Sequence, residues 1–182
     1  MSVAPSNVGI HGNTADRAMG DRWELEFISI AELFGFEGWQ VSRLRGPTLV
    51  WRGRRYISPD VWLLRRGDRQ YACEVKHKSP NRHGSYGLEQ YRADSLMTLQ
   101  AHFVNEHGPV TSLYVIHDWS YNGNRDNDRN IIHHWRAQRL DEIQQHIIGP
   151  FEGKTYYNGT VCTKKINYYQ SSRFVPLLDF LL

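Results

Sequence analysis

The run Ile-Ser-Pro-Asp-Val-Trp-Leu-Leu (residues 57–64), Arg-Arg-Gly-Asp-Arg (65–69) and Gln-Tyr-Ala-Cys-Glu-Val-Lys-His-Lys (70–78) decides how the rest of the chain is read. Two stretches rich in β-formers flank a short turn containing Gly67, the pattern of a β-hairpin. Alternation with period two puts Tyr71, Cys73 and Val75 on one face of the second strand, and Glu74, Lys76 and Lys78 on the other. A charged row beside an apolar row implies that the charged row lines a working surface. If the hairpin is symmetric about Gly67, Asp60 falls opposite Glu74, with Cβ atoms roughly 4.5–5.5 Å apart. Carboxylates that close repel each other, and a divalent metal between them removes the repulsion. Asp60, Glu74 and Lys76 then make a metal-plus-lysine site on one hairpin. The competing reading is a solvated hairpin with an ordinary surface salt bridge.

Working outward, 182 residues suit a single domain with one substantial core. No apolar run approaches the roughly 20 residues of a membrane span. No charged segment followed by an apolar core opens the chain, so no secretory signal is expected. Cys73 and Cys162 have neither zinc spacing nor the density of a disulfide framework. A reducing, cytoplasmic setting is the expectation, with no membrane partner.

The net charge of +3 hides an asymmetry: residues 43–82 hold eleven basic residues against three acidic ones, a local +8 that leaves −5 elsewhere. A basic concentration around paired carboxylates suits a polyanion held over a metal. Arginine outnumbers lysine seventeen to five, and guanidinium forks match phosphate geometry. Arg43, Arg45, Arg52, Arg54, Arg55, Lys78 and Arg82 are the candidate DNA-binding residues.

In chain order, residues 1–13 read as a flexible tail and 14 to about 34 as a helix whose apolar face is Trp23, Phe27, Ile30 and Phe34. A strand is expected at 40–45, a link at 46–56, and a loop at 79–87. A helix should start near Leu88 and bury Leu88, Leu96, Leu99 and Phe103. Residues 109–119 read as a buried strand, 120–130 as an exposed loop, 131–136 as a strand and 141–148 as a short helix. Asn158-Gly159 signals a C-terminal β-hairpin. The apolar run 174–182 has to dock on the same chain or form a dimer contact. His117, His133 and His134 with Asp118 are a possible second metal cluster, though histidines at strand ends are usually structural.

Pro59-Asp60, then Glu74-Val75-Lys76, resembles the PD-(D/E)xK nuclease superfamily, which includes restriction endonucleases and archaeal and phage Holliday-junction resolvases. The resemblance covers residues 15–139. It implies a restriction-endonuclease-like core, an α/β fold with a mixed central sheet flanked by helices, extended here by residues 140–182 and their C-terminal hairpin. It implies Mg²⁺, with Mn²⁺ as substitute, held by Asp60, Glu74 and the backbone carbonyl of Val75, with Lys76 positioning the attacking water. Gly20, Glu24 and Gly35-Phe36 fit the spacing of the archaeal-type resolvases, whose first helix sends a glutamate to the metal. Glu24 is then a third acidic ligand, with Glu26 the competing candidate. Glu37-Gly38-Trp39 departs from that spacing. Gln90 matches a glutamine that several branches place near the metal and scissile phosphate.

The implied activity is metal-dependent hydrolysis of DNA phosphodiesters, possible on branched DNA such as a four-way junction, by a homodimer. A sequence-specific restriction-type or repair nuclease is the alternative within the class. A non-catalytic nucleic-acid-binding module is the alternative outside it.

Overall fold

The motif hairpin forms where its pattern places it and becomes the centre of a larger sheet. The computed structural model describes residues 8–46, 48–67, 69–118, 120, 131–157 and 160–182. Helix α1 (Val8–Glu32) leads into β1 (Glu37–Gln40) and the short helix α2 (Val41–Arg45). A small hairpin, β2 (Thr48–Trp51) and β3 (Arg54–Ile57), precedes the motif hairpin, β4 (Val61–Arg65) and β5 (Arg69–His77). Then come β6 (Ser85–Glu89), α3 (Gln90–His102), β7 (Val104–Asn105) and β8 (Gly108–His117). A 3-10 turn at Ile131–His134 opens the last part, followed by β9 (Trp135–Arg139) and α4 (Leu140–Ile143). The chain continues through β10 (Ile148–Tyr157), β11 (Thr160–Gln170), β12 (Val175–Pro176) and α5 (Leu178–Leu181).

The main sheet runs β1-β4-β5-β8-β9-β12, with β7 beside β8. Among the described residues β5 and β8 pair in parallel, and the other pairs of this sheet are antiparallel. A parallel pair needs a long crossover, which the segment carrying α3 supplies. Helices cover both faces, so β5 is largely buried on both, apolar toward α1 and mixed toward α3. Cys73 and Val75 pack with Phe27 and Ala31 of α1, while Ala72 packs with Ala93, Leu96 and Leu99 of α3. Of these, the larger side chains, Phe27, Val75, Leu96 and Leu99, contribute about 1.5–3 kcal/mol each. The chain is thus mixed α/β, with a central mixed sheet flanked by helices, as expected. Among the described residues no helix is long and apolar enough to cross a membrane.

Several expected boundaries move, each for a non-local reason. The first helix already includes residues 8–13, which the sequence assigns to a tail. Residues 40–45 are not a strand. Residues 37–40 pair with β4 instead, and α2 follows, its first N–H (Val41) bonded to the Asp60 carbonyl at 3.0 Å. Gly38 makes that pairing possible, because a Cβ there would lie 2.7 Å from Ile28 Cγ2 of α1. The expected loop at 79–87 yields a strand from Ser85, since β11 reaches across to pair with it. Leu88 therefore sits in β6, and the helix starts at Gln90, still burying Leu96, Leu99 and Phe103. Residues 131–134 form a 3-10 turn, with the strand starting at Trp135. The helix expected at 141–148 runs from Leu140 to Ile143 and continues as a 3-10 turn to His146. The long hairpin β10–β11 forms as expected, while its Asn158-Gly159 turn and residues 121–130 lie outside the described residues.

The apolar run 174–182 docks on its own chain. Phe174, Leu177 and Leu181 are buried, the last two in the core that α1 covers. Its backbone is also held. Tyr71 Oη donates to the Phe180 carbonyl at 3.2 Å and Arg65 Nη1 to the Leu181 carbonyl at 3.1 Å.

Candidate functional site

Val61 pairs with Cys73, and one more step along both strands sets Asp60 against Glu74, as turn symmetry predicts. The Val75 N–H donates to Asp60 Oδ2 at 3.0 Å and fixes that carboxylate. Asp60 is 8% exposed and Glu74 1%, and a carboxylate so buried requires a cation or a proton. Two cations meet the pair. Lys76 Nζ lies 2.5 Å from Glu74 Oε1 and 3.4 Å from Asp60 Oδ2. Arg92, in the first turn of α3, places Nη2 2.9 Å from Asp60 Oδ1 and Nε 2.6 Å from Glu74 Oε1. The approaches to Glu74 Oε1 are charge contacts without hydrogen-bond alignment. Glu74 Oε2 is buried and has no hydrogen-bond partner among the described residues.

Burial pushes the Glu74 carboxyl pKa up and Asp60 adds to the shift, against the pull of Lys76 and Arg92. For Lys76 burial disfavours the ammonium, but Asp60 and Glu74 outweigh it and raise its pKa. Arg92 follows the same logic, with Glu74 and Asp60 overcoming burial. The two carboxylates thus hold the Lys76 ammonium charged.

Glu24 lines a cavity of about 370 Å³ together with Asp60, Val75 and Lys76, and Gly20, Trp23 and His77 complete it. Gln40 Nε2 donates to Glu24 Oε2 at 2.8 Å, linking α1 to β1. Burial, then the charge of Asp60, raises its pKa to about 7. Glu26 faces elsewhere and accepts from Trp135 Nε1 at 3.2 Å. Helix rotation thus selects Glu24, and the extra residues 37–39 make the strand that carries Gln40 to it. Gln90 is the first residue of α3 and makes no side-chain hydrogen bond among the described residues. The α3 side chain that reaches the carboxylates is Arg92, two residues on. Asking what neutralises two buried carboxylates would have pointed toward a cation on α3.

The histidines divide. His77 and His117 stand side by side on β5 and β8, with their Nδ1 atoms 2.7 Å apart. Trp23 stacks on both, at centroid distances of 4.2 and 4.0 Å. Burial lowers the pKa of His77; burial, with His77 and His134 adding, lowers that of His117 to about 4. Asp118 accepts from Tyr86 Oη at 2.5 Å and from Ser120 Oγ at 2.7 Å, and His133 is exposed. The possible cluster of His117, His133, His134 and Asp118 is therefore not assembled as a ligand set. Among the described residues no group of three or more His, Cys, Asp or Glu is already placed to hold a metal. At the carboxylate site Lys76 and Arg92 occupy the space between the acids.

The candidate DNA-binding residues also separate. Arg45, Arg54 and Arg55 are exposed, as are Arg82 and Arg52, whose guanidinium lies 5.7 Å from the centre of the Trp51 ring. Arg43 is engaged with Asp21 of α1, Nε donating to Oδ1 at 2.9 Å. Lys78 turns inward to the Gly87 carbonyl, and burial, with Lys76 adding, lowers its pKa to about 8.

No family model matches the chain, and no curated protein matches its sequence.

Proposed function

We propose that the chain is a metal-dependent DNA endonuclease built on a restriction-endonuclease-like core of the PD-(D/E)xK type. The observation that carries this reading is the β4–β5 register, which sets Asp60 against Glu74 beside Lys76. The donor set suits a divalent metal: two adjoining carboxylates, a third, Glu24, on the cavity that Asp60 lines, and a buried carboxylate oxygen, Glu74 Oε2, with no hydrogen-bond partner among the described residues. Asp60, Glu74, the Val75 carbonyl and Glu24 would hold Mg²⁺, or Mn²⁺ in its place. When bound, the metal would lower the pKa of water and neutralise charge developing on phosphate. Lys76 donates toward the attacking water and orients it. Arg92, already at the carboxylates, is the cation that can turn to a phosphate oxygen. The exposed arginines 45, 52, 54 and 55 carry the flanking backbone.

The preference for branched DNA rests on the Gly20-Glu24-Gly35-Phe36 spacing. A homodimer has weaker support, because the apolar residues 174–181 are used within the chain. The test is cleavage of plasmid, linear duplex and a four-way junction of fixed sequence. Mg²⁺ or Mn²⁺ should support it, EDTA should stop it, and Asp60→Ala should lose it while still binding DNA in EDTA. Full activity in EDTA would overturn the assignment.

The contacts of Arg92 and Lys76 favour a second reading, a nucleic-acid-binding module whose acids are permanently neutralised by protein cations. Mn²⁺ binding followed by electron paramagnetic resonance separates the two, since the module would take up no Mn²⁺ at this site and Asp60→Ala would change nothing in the titration.

A further inference from the structure

A second cavity, about 420 Å³, opens at the β1 edge of the sheet, within the roughly 300–1,000 Å³ usual for small-ligand sites. Trp39 and Trp62 are directly paired across β1 and β4 and belong to its lining, with Phe103 behind Trp62 at a centroid distance of 4.9 Å. Leu44 and Arg45 of α2 form another part of the wall. Trp39 remains 37% exposed and Leu44 68%. Flat aromatic walls with an arginine and no carboxylate among the lining residues suit a planar, weakly polar group attached to an anion.

The cavity is also placed beside the carboxylates. Asp60 and Trp62 are two residues apart on the β4 line, which puts them on one side of the chain roughly 7 Å apart. Val41, another lining residue, donates its N–H to the Asp60 carbonyl. We propose that this cleft binds an unpaired nucleobase, stacked on Trp39, from the strand whose phosphate lies at Asp60 and Glu74. The location of that phosphate rests on the nuclease reading. Arg45 at the wall takes the phosphate linked to the base. A base within duplex has to be unstacked and unpaired to enter, whereas a base at a flap, fork or junction is already free. The cleft thereby turns a general nuclease site into one that selects DNA with unpaired bases near the cut.

The experiment measures binding in EDTA, so that it is independent of metal and cleavage, with a forked oligonucleotide and its fully paired duplex. Trp39→Ala should weaken binding to the fork by roughly 5- to 150-fold, the range for loss of one base–aromatic stack, and leave the duplex within about twofold. Trp39→Phe should recover most of the loss. An abasic site walked along the single-stranded arm should find one position that costs the wild type the same factor and costs Trp39→Ala nothing. Equal losses on fork and duplex, no loss on either, or a flat abasic scan would overturn the proposal. So would a Trp39→Ala protein with intact fork binding but altered mass by light scattering, which would assign the cleft to a second copy of the chain. If the fork results hold and no metal supports cleavage, the nuclease reading fails and the base-binding cleft stands.

Discussion

At the end of β5, Glu74 meets Lys76 and Arg92 of α3, while His77 meets Trp23 of α1 and His117 of β8. Both neighbourhoods bury titratable groups, and they do so in opposite ways. On the α3 side two acids, Asp60 and Glu74, are matched by two cations, Lys76 and Arg92. On the α1 side the histidines are held neutral, sandwiched with an indole, one ring donating to the other through the Nδ1 pair. Keeping ions in a buried place is expensive, and replacing them with apolar side chains is often neutral or stabilising. A neutral stacked pair carries no such penalty. The difference teaches where to look for chemistry: under the nuclease proposal the ionic neighbourhood is the place to test for it, and the stacked histidine pair is the place to test for packing.

The largest test of that contrast is Glu74→Ala against His77→Ala. Glu74→Ala leaves Lys76 and Arg92 sharing Asp60, one unmatched cation in a largely buried site, so urea unfolding should show a loss of about 3–5 kcal/mol, together with loss of cleavage. His77→Ala removes one hydrogen bond and its stacks on Trp23 and His117, a loss of about 1–2 kcal/mol, and cleavage should persist within a few fold. A His77→Ala protein that is stable and inactive would bring the histidine pair into the chemistry and erase the distinction.

Next in size is Arg92→Gln. If the guanidinium competes with metal for the same carboxylates, its removal should tighten Mn²⁺ binding in the absence of DNA, by roughly 5- to 150-fold if the coupling is of ordinary strength. Calorimetry would read it, and unchanged or weaker Mn²⁺ binding would show that Arg92 supports the acids without competing.

The subtlest readout is stability against pH, whose sign differs between His117 and Glu24. His117 has a native pKa of about 4 against an ordinary 6.5. As pH falls from 6.5 to 4 the unfolded chain takes a proton that the native state refuses, and stability declines. Glu24 has a native pKa of about 7 against 4.5, so the native state holds a proton that the unfolded chain has lost, and stability rises as pH falls from 7 to 4.5. Denaturation midpoints in EDTA across pH 4–7.5 should show His117→Gln losing the decline and Glu24→Gln losing the rise. Parallel curves for wild type and Glu24→Gln would mean that Glu24 titrates as in the unfolded chain.

How much of this was legible in the sequence follows the range of each interaction. Asp60 against Glu74 was readable because a short turn and period two determine both register and face. Glu24 was reachable by spacing. The choice over Glu26 was not, since residues two apart on a helix point about 200° apart and only the packing of Phe27 and Ala31 sets the rotation. Arg92 was missed because its partners lie on strands 18 and 32 residues earlier. The His77–His117 pair depends on a parallel register that no local turn encodes. Strand β6 was hidden because its partner, β11, lies about 80 residues on.

The hold on residues 177–181 has a consequence for how the chain is made. Leu177 and Leu181 complete the core beneath Phe27 and Ala31, and Tyr71 and Arg65 of the motif hairpin grip the Phe180 and Leu181 carbonyls. Contacts spanning some 150 residues form slowly. During translation at roughly 5–20 residues per second, the hairpin that bears Asp60 and Glu74 waits several seconds on the ribosome for the segment that closes its α1 face. A nascent chain arrested short of Leu177 therefore carries the acids without the finished core that positions them.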